Sequence, residues 1–513
     1  MINPATANSK NIILELKNID KWFGHVHANQ DVSIQIENST IHGIIGENGA
    51  GKSTLMSIVY GYYQADKGSI FVNGKEVFIS SPVQALNYGI GMVHQHFKLV
   101  EPFTVLENII LGAETGTILE NSLQSARKEL KRLEDDYSLN VNPDSVVGEL
   151  PVGIRQRVEI LKALYRGANI FILDEPTGVL TPQEVDHLFK ILKSLKKQGK
   201  TIILITHKLR EIMDLTDNVT VMRQGRVINN KPTKKTNKEE LAELMVGRSV
   251  LLSVNKKDKK IGRKILSVNN LSIIDEKNIE KVKNISFDIH EGEIIGIAGV
   301  AGNGQTELLE TLTGIRRIND GTIKFHNKTF DNSNPINAKE IRKNGLAHVP
   351  EDRQRMGLVT SFSANESGIL GYQDLNIYKG KIFLKKYAIL KDMYDKFKRF
   401  DVRPANPILK TSSFSGGNQQ KIVLVREMDQ EPELLIVGQP TRGVDIGAIE
   451  FIHKQLIELR NKGKAILLVS VELDEVLSLS DKILVMFDGK IVGKINQKDA
   501  DEKTLGLLMA GAK

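Results

Sequence analysis

Fully apolar runs of strand length alternate with amphipathic stretches along the chain. Such runs occupy residues 171–173, 202–205 and 466–469, whereas residues 184–197 place apolar side chains at the spacing of one helix face. Strands without polar alternation are typical of parallel sheets that are buried on both faces. Their alternation with amphipathic helices is typical of α/β folds. The pattern therefore predicts α/β units built around mostly buried parallel sheets.

The same order of motifs occurs twice along the chain. A glycine-rich turn after an apolar run at residues 46–54 (GENGAGKST) has an altered counterpart at 299–307 (GVAGNGQTE). Further on, residues 150–156 (LPVGIRQ) match residues 414–420 (FSGGNQQ). A repeated order of this kind indicates a duplicated domain. The predicted bounds are 11–252 for the first domain, 253–264 for a lysine-rich linker and 265–513 for the second domain.

Composition excludes several kinds of chemistry. The absence of cysteine rules out disulfides, thiolate metal sites and cysteine nucleophiles. No stretch approaches the roughly 20 apolar residues that cross a bilayer, so we expect the chain not to span a membrane. Lys and Arg number 70 against 62 Asp and Glu, a net charge of +8. That charge suits nucleic acid, an anionic membrane face or an acidic small ligand, and does not choose among them.

The first glycine-rich turn has the pattern of a phosphate-binding loop. Gly46, Gly49 and Gly51 would let backbone N–H groups close around phosphate oxygens, Lys52 would reach the β- and γ-phosphates, and Ser53 would ligate Mg²⁺. The alternative is a glycine-rich strand-to-helix turn that binds nothing. The loop spacing favours nucleotide binding.

Two acids follow the apolar run at residues 171–173. Asp174 would support the metal and Glu175 would polarise an attacking water. An isolated Asp-Glu pair more often begins a helix, where acids favour the first turn. Its position 24 residues after Leu150 favours the catalytic interpretation.

Together with Gln95 (MVHQHF) and His207 (ILITHK), these motifs resemble those of the ATP-binding-cassette (ABC) ATPases, over essentially all of both halves. The resemblance implies tandem P-loop NTPase domains, each with a RecA-like α/β core, an antiparallel β subdomain and a helical subdomain. It also implies that Phe23 stacks on adenine, that Gln95 contacts Mg²⁺ and relays to membrane subunits, and that His207 holds the γ-phosphate. From the residues alone, Phe23 could be an ordinary half-buried aromatic. The histidines beside Gln95 are better explained as strand-end residues than as metal ligands.

The second copy departs from the family pattern at each catalytic position. Gln305 replaces the loop lysine, Glu351 stands in the place of Gln95, Gly438 and Gln439 replace the paired acids, and Val471 replaces His207. Whether this altered loop still binds nucleotide or is a vestigial turn is open from the sequence. Because several electrostatic groups are missing, we expect it to be catalytically silent.

The signature segment shows the opposite asymmetry. The second copy keeps Ser415 and paired glycines, whereas the first has Pro151 and Val152 at corresponding positions, and Asp445 stands where the first copy has Thr181. In the family's head-to-tail dimer each nucleotide lies between one domain's P-loop and the other's signature, so the resemblance implies one intact and one degenerate site. The predicted catalytic residues are Lys52, Glu175 and His207, and Mg²⁺ is predicted to be held by Ser53, Gln95 and, indirectly, Asp174. The residues predicted to bind ATP in the intact site are Phe23, Gly46, Glu47, Asn48, Gly49, Ala50, Gly51, Lys52, Ser53, Thr54, Gln95, Asp174, Ser415, Gly416, Gly417, Asn418 and Asp445.

The resemblance implies an ATPase subunit that energises a membrane importer. Its implied partners are two permease subunits and a substrate-binding (lipo)protein, at the cytoplasmic face of the membrane. Within the family, the segments VPEDR, FSGGNQQK and QPTRGVD look most like the bacterial nucleoside importers, and a monosaccharide importer is the alternative. A twin-cassette translation or nucleic-acid factor fits less well, because the predicted linker is short and the lysine-rich stretches lack interleaved aromatics. A module that only senses ATP conflicts with the presence of Glu175 and His207.

Overall fold

The chain divides into two compact units, Met1–Val250 and Leu251–Lys513. The computed structural model describes residues 11–94, 98–113, 119–137, 139–178, 180, 182–249, 256, 261–300 and 302–511, and the structural statements below concern these residues. Of the predicted linker, Lys256 and residues 261–264 are described; the first strand of the second unit begins at Lys264.

The first unit contains two sheets and the helices that cover them. Its strands are β1 (Ile12–Phe23), β2 (Val26–Glu37), β3 (Ile41–Ile45), β4 (Lys67–Val72), β5 (Lys75–Val77), β6 (Ile90–Val93), β7 (Ile170–Asp174), β8 (Thr201–Thr206), β9 (Asn218–Arg223) and β10 (Arg226–Pro232). Its helices are α1 (Lys52–Val59), α2 (Pro82–Asn87), α3 (Val105–Ile110), α4 (Leu119–Tyr137), α5 (Val152–Tyr165), α6 (Pro182–Lys197), α7 (Leu209–Leu215) and α8 (Lys238–Val246).

The second unit repeats this order of elements. Its strands are β11 (Lys264–Ile274), β12 (Glu280–His290), β13 (Ile294–Ala298), β14 (Asp320–Phe325), β15 (Lys328–Phe330), β16 (Leu346–Val349), β17 (Leu434–Gly438), β18 (Ala465–Ser470), β19 (Lys482–Phe487) and β20 (Lys490–Asn496). Its helices are α9 (Gln305–Leu312), α10 (Ala338–Lys343), α11 (Ala364–Ser367), α12 (Lys386–Arg399), α13 (Gly416–Met428), α14 (Ile446–Asn461), α15 (Leu473–Leu479) and α16 (Glu502–Met509).

Each unit has a six-stranded, mostly parallel sheet and a four-stranded antiparallel sheet. The large sheets have the orders β10-β9-β3-β8-β7-β6 and β16-β17-β18-β13-β19-β20, in which β10 and β20 are antiparallel edge strands. The small sheets are β2-β1-β4-β5 and β12-β11-β14-β15. The predicted α/β units with buried parallel sheets are confirmed, and so are the antiparallel sheets implied by the resemblance.

Alternating side chains of the large sheet enter two separate cores. In the first unit, Phe171 and Leu173 of β7 pack with helices α3 to α6, whereas Ile170 and Ile172 pack with α1 and the antiparallel sheet. Because successive side chains of a strand point to opposite faces, an unbroken apolar run serves both cores. This explains why these strands show no polar alternation in the sequence.

The carboxyl ends of β3, β7 and β8 lie side by side at one edge of the first unit's large sheet. The three strands pair in parallel, with Ile45 opposite Thr206 and Asp174 opposite Ile205. The segments that leave these ends carry the glycine-rich loop, the paired acids and His207. Ligands of open α/β sheets bind beyond this edge, so the fold brings the predicted catalytic residues together. None of the described helices has both the length and the apolar character needed to cross a bilayer.

Candidate functional site

The glycine-rich loop connects β3 to α1 in a conformation that requires two of its glycines. Gly51 caps the helix with a φ of 94°, and a Cβ on it would lie 2.4 Å from the carbonyl oxygen of Ala28. A Cβ on Gly46 would lie 2.3 Å from the carbonyl oxygen of Met222. Gly49 has a φ of 82° and open space around it, as a close approach by a ligand would need. The loop therefore leads directly into the N-terminus of α1, a favourable place for phosphate.

Lys52, the first residue of α1, extends its side chain back into this loop. Its ammonium donates to the carbonyl oxygens of Gly46 at 2.8 Å and Glu47 at 3.0 Å, and the residue is 6% exposed. Burial lowers the pKa of Lys52, and the carboxylates of Glu175 and Asp174 oppose that shift. A buried cation held by neutral carbonyls is well suited to a polyanionic ligand.

The two acids at the end of β7 lie in different electrostatic environments. Burial, reinforced by the charge of Glu175, raises the pKa of Asp174, and a hydrogen bond with Ser53 opposes this shift. A hydrogen bond from His207 lowers the pKa of Glu175. Neighbouring carboxyl groups with pKa values pushed apart are typical of acid–base sites. Glu175 is thereby favoured as the anion, and the Ser53 hydroxyl lies within hydrogen-bond reach of Asp174.

Glu175 and His207 contact each other directly. His207 Nδ1 lies 2.9 Å from Glu175 Oε1, which makes Nδ1 the donor and leaves Nε2 as the nitrogen for a ligand. Glu175 has a left-handed backbone with a φ of 46°, and its N–H donates to the carbonyl of Ile205 at 2.9 Å. Such a conformation costs a non-glycine residue about 1–3 kcal/mol and is found most often at functional sites.

A third carboxylate, which none of the sequence motifs includes, braces the loop after Glu175. Glu211 on α7 is 3% exposed and accepts a hydrogen bond from the Thr177 hydroxyl. Burial raises the pKa of Glu211. The corresponding pair in the second unit is Thr441 and Glu475, and both of these are buried. The spacing of 34 residues between Thr177 and Glu211 gives no local signal in the sequence.

Phe23 ends β1 and is 42% exposed. Its ring meets Tyr63 edge to face at 5.1 Å, and the Lys21 ammonium lies 5.6 Å from the ring centroid. An exposed ring face of this kind can stack on a base. In the second unit, Asp275 is the counterpart of Phe23. Asp20 pairs with the first residue of β4 and Ser272 with the first residue of β14, so these two residues are equivalent. Phe23 lies three residues beyond Asp20, and Asp275 lies three residues beyond Ser272. The second unit thus has no aromatic at this position.

Gln95, which is predicted to contact Mg²⁺, lies outside the residues that the structure describes.

The signature segment of the second unit forms a capped helix start. Ser415 caps α13, and Asn418 donates through its side-chain amide to the Ser415 hydroxyl at 2.9 Å. Asp445 caps α14 by accepting from the N–H of Ala448 at 2.8 Å, and a Cβ on Gly417 would lie 3.3 Å from its other carboxylate oxygen. Gly416 is packed more tightly, since a Cβ on it would lie 2.5 Å from Nη2 of the Arg353 guanidinium. The structure thus gathers Ser415, Gly417, Asn418 and Asp445 at one place in the second unit.

The first unit's signature lacks this arrangement. Pro151 occupies the cap position of α5 and makes no side-chain cap hydrogen bond. A Cβ on Gly153 would lie 2.6 Å from Glu184 Oε1, so that glycine is packed against α6. This helix start therefore offers no hydroxyl to a phosphate.

In the second unit, the glycine-rich turn keeps the backbone conformation of the first unit's loop at its helix cap, but the Gln305 side chain lies buried against it. Gly304 caps α9 with a φ of 97°, like Gly51. Gln305 is 5% exposed, its Nε2 donates to the carbonyl of Val300 at 3.1 Å, and its buried Oε1 has no hydrogen-bond partner in the described part of the chain. An amide with an unpaired oxygen replaces the cation that Lys52 supplies.

Glu351 takes the space that an aspartate equivalent to Asp174 would occupy. A Cβ on Gly438 would lie 2.5 Å from Glu351 Cγ and 2.9 Å from Leu309 Cδ1. Glu351 also accepts a 2.5 Å hydrogen bond from the hydroxyl of Thr306, the counterpart of Ser53. A carboxylate that follows β16 has therefore moved into the place left by the glycine at the end of β17.

Gln439 keeps the backbone of Glu175 without its charge. Its φ is 48°, and its N–H donates to the carbonyl of Val469 at 2.7 Å. Its side-chain oxygen accepts from the N–H of Val471 at 3.2 Å, where the first unit has the His207 contact. The strained conformation persists in both units, but only the first combines it with a carboxylate and an imidazole.

Comparison with known proteins gives a consistent family. The family described as "ABC transporter" matches residues 29–178 and 282–442. The chain is 46% identical over 503 residues to the nucleoside import ATP-binding protein NupA of Lactococcus lactis, covering 97% of this chain and 98% of that protein. It is 46% identical over 507 residues to the guanosine import ATP-binding protein NupO of Bacillus subtilis, covering 98% of each.

More distant relatives share the arrangement. The galactose/methyl galactoside import ATP-binding protein MglA of Escherichia coli is 37% identical over 506 residues, covering 98% of each chain. Among solved structures, an archaeal ribosome recycling factor in complex with a ribosomal stalk protein matches with a TM-score of 0.61 at 17% identity, covering 93% of this chain and 90% of that one. At that identity the likeness concerns the fold alone.

Proposed function

We propose that this chain, which belongs to the ABC transporter family, is the ATP-hydrolysing subunit of a membrane importer for nucleosides. The observation that carries the proposal is the assembly of Lys52, Glu175 and His207 at one sheet edge of the first unit. Full-length identity of 46% to two nucleoside import ATP-binding proteins supports the transported class.

The first unit hydrolyses ATP by positioning and charge stabilisation. The loop N–H groups and Lys52 hold the β- and γ-phosphates, Glu175 orients a water in line with the γ-phosphate, and His207 Nε2 contacts that phosphate. The Ser53 hydroxyl and Gln95 would ligate Mg²⁺, with Asp174 supporting them, and the bound ion would further neutralise the phosphate charge. The Glu175–His207 contact keeps the carboxylate anionic and correctly oriented.

The second unit is catalytically silent in this proposal. It has Gln305 in place of the cation, Gln439 in place of the water-orienting carboxylate and Asp275 in place of the adenine-stacking ring. Removal of one preorganised electrostatic group typically costs about 10²–10³ in rate, so the loss of several leaves no significant turnover.

We further propose that the first unit's loop works with the second unit's signature. All groups of one such combination are present, including Ser415, Gly417 and Asp445, whereas the reverse combination joins Gln305 and Gln439 with Pro151. The altered residues of both units all fall in one of the two loop–signature combinations, and the other combination keeps its functional residues. This distribution supports an internal heterodimer with one hydrolytic site. Closure on ATP and release on hydrolysis would supply the motion that drives transport.

Import requires membrane permease subunits and a substrate-binding protein, since this chain provides the ATP-binding part. We propose two permease chains, and a position for this protein at the cytoplasmic face of the membrane. Nucleosides are favoured over monosaccharides because the nucleoside relatives are 46% identical and a galactose relative 37% identical over similar lengths.

The test is uptake of labelled guanosine, ribose and galactose by vesicles that contain the protein with its co-purified permeases. We expect ATP-dependent guanosine uptake that is lost with Glu175→Gln and retained with the matched second-unit change Gln439→Ala. Uptake of a sugar without any nucleoside would reject the substrate class. Failure to recover any membrane partner would reject the importer proposal.

A further inference from the structure

A short turn between α11 and α12 of the second unit and the first turn of α12 display the most exposed large apolar side chains of the described residues. Ile382 is 86% exposed, Phe383 82% and Tyr387 82%. The N–H of Gly380 donates to the carbonyl of Phe383 at 3.1 Å and closes the turn, so that Ile382 and Phe383 lie at its tip. Contiguous exposed apolar residues of this kind indicate an interaction surface.

The same segment is strongly basic. Residues 376–391 contain five lysines, Lys379, Lys381, Lys385, Lys386 and Lys391, and no acidic residue. All five are exposed and they lie on both sides of the apolar tip. The corresponding segment of the first unit, residues 112–122, contains two glutamates and no lysine or arginine. The basic tip therefore belongs to the second unit alone.

A buried polar network fixes the base of the turn. The Tyr378 hydroxyl donates to Asp392 Oδ2 at 2.5 Å and accepts from the Lys396 ammonium at 2.8 Å. Lys396, 1% exposed, also pairs with Asp392 at 2.8 Å and Asp429 at 3.0 Å. A lysine buried with two carboxylates and a phenol holds the turn to α12 and α13. The exposed tip is thus presented on a rigid support.

We propose that this basic apolar tip, residues 379–387, docks on the anionic lipid headgroups of a membrane surface. Ile382 and Phe383 would enter the interface, and the lysines on either side would contact the lipid phosphates through extended side chains. Charge complementarity identifies the partner, because the five exposed lysines outnumber the nearby acids Asp374 and Glu366, which interact with Lys379 and Lys386. A cluster with excess positive charge beside exposed apolar side chains is attracted to anionic lipids. Docking here is independent of ATP hydrolysis, since no residue of the tip belongs to the proposed site.

The test is co-sedimentation of the full-length protein, without permeases, with two kinds of vesicle. One kind is neutral phosphatidylcholine, and the other also contains about 30% phosphatidylglycerol, which gives it a negative surface like that of a cytoplasmic leaflet. We expect binding to the anionic vesicles alone. Each lysine near such a surface contributes about a factor of five in affinity, so the triple change Lys379→Gln, Lys381→Gln, Lys386→Gln weakens binding about 100-fold. The change Ile382→Ser with Phe383→Ser also weakens it, by at least about tenfold.

Matched controls lie in the first unit. Changing Lys190, Lys193 and Lys197, exposed lysines of α6, to Gln removes the same charge, and Phe78→Ser removes a ring that is 70% exposed. These controls should bind anionic vesicles like the unchanged protein, and all variants should keep its melting temperature and ATPase rate. Equal weakening by the controls, sedimentation with neither vesicle, or binding only to vesicles that contain the permeases would each overturn the proposal.

Discussion

Introducing an aspartate at Gly438 should destabilise the second unit, even though it restores the family residue. The added Cβ would lie 2.5 Å from Glu351 Cγ and 2.9 Å from Leu309 Cδ1, and Leu309 is 2% exposed in the core. Overpacking of this kind costs about 1–3 kcal/mol. The new carboxylate would also lie beside that of Glu351, and like charges at such a distance repel.

We therefore expect Gly438→Asp to reduce the free energy of unfolding of the second unit by about 2 kcal/mol. For a domain of this size that corresponds to about 4–8 °C in melting temperature. Differential scanning calorimetry resolves the transitions of the two units if they unfold separately, and the first unit's transition should not move.

The cause is tested by removing Glu351. In a Glu351→Ala background, Gly438→Asp should cost clearly less, because the clash with Glu351 Cγ and the charge repulsion are gone and only the 2.9 Å contact with Leu309 remains. The expected coupling energy between the two positions is at least about 1 kcal/mol. Gly438→Ala separates the packing component from the charge. A melting temperature that falls equally with and without Glu351, or that does not fall at all, would refute the claim that Glu351 occupies the aspartate's place.

Three further outcomes are expected. Burial lowers the pKa of His42 to about 4, so below about pH 6.5 the unfolded state binds a proton that the folded state does not bind. Equilibrium unfolding should therefore show that the free energy of unfolding of the first unit falls by up to about 3 kcal/mol between pH 6.5 and 4, and by less in His42→Gln. Phe23→Ala should weaken ATP binding about 5- to 30-fold in a fluorescent-nucleotide titration, given base–aromatic stacking of about 1–2 kcal/mol, whereas Asp275→Ala should not. Ser415→Arg should abolish ATP turnover in the assembled complex and Pro151→Arg should retain most of it; the reverse order would contradict the proposed pairing of loop and signature.

Local motifs account for what the sequence predicts well. The glycine-rich loop is a continuous segment whose positive-φ glycines and following lysine are visible in order, so its place at a strand-to-helix turn is predictable. The apolar runs are similarly local, and each became a buried strand of a parallel sheet. The helix predicted at residues 184–197 is α6, which begins two residues earlier.

Features that depend on which segments become neighbours are not predictable in this way. The loss of an acid at Gly438 is visible in the sequence, but its replacement in space by Glu351 follows only from the parallel pairing of β16 and β17. Asp275 is recognised as the counterpart of Phe23 only through strand register. The exposed tip at Ile382 and Phe383 looks in sequence like any short apolar run, and only the folded chain shows that its side chains are exposed.

The most direct test of the account compares two single changes in the assembled complex, with ATP turnover as the measurement. Glu175→Gln removes the water-orienting carboxylate of the first unit, and Gln439→Ala alters the corresponding residue of the second. With a single hydrolytic site, Glu175→Gln should reduce turnover by at least about 10²-fold, whereas Gln439→Ala should retain most of it. Equal losses from the two changes would contradict a single hydrolytic site.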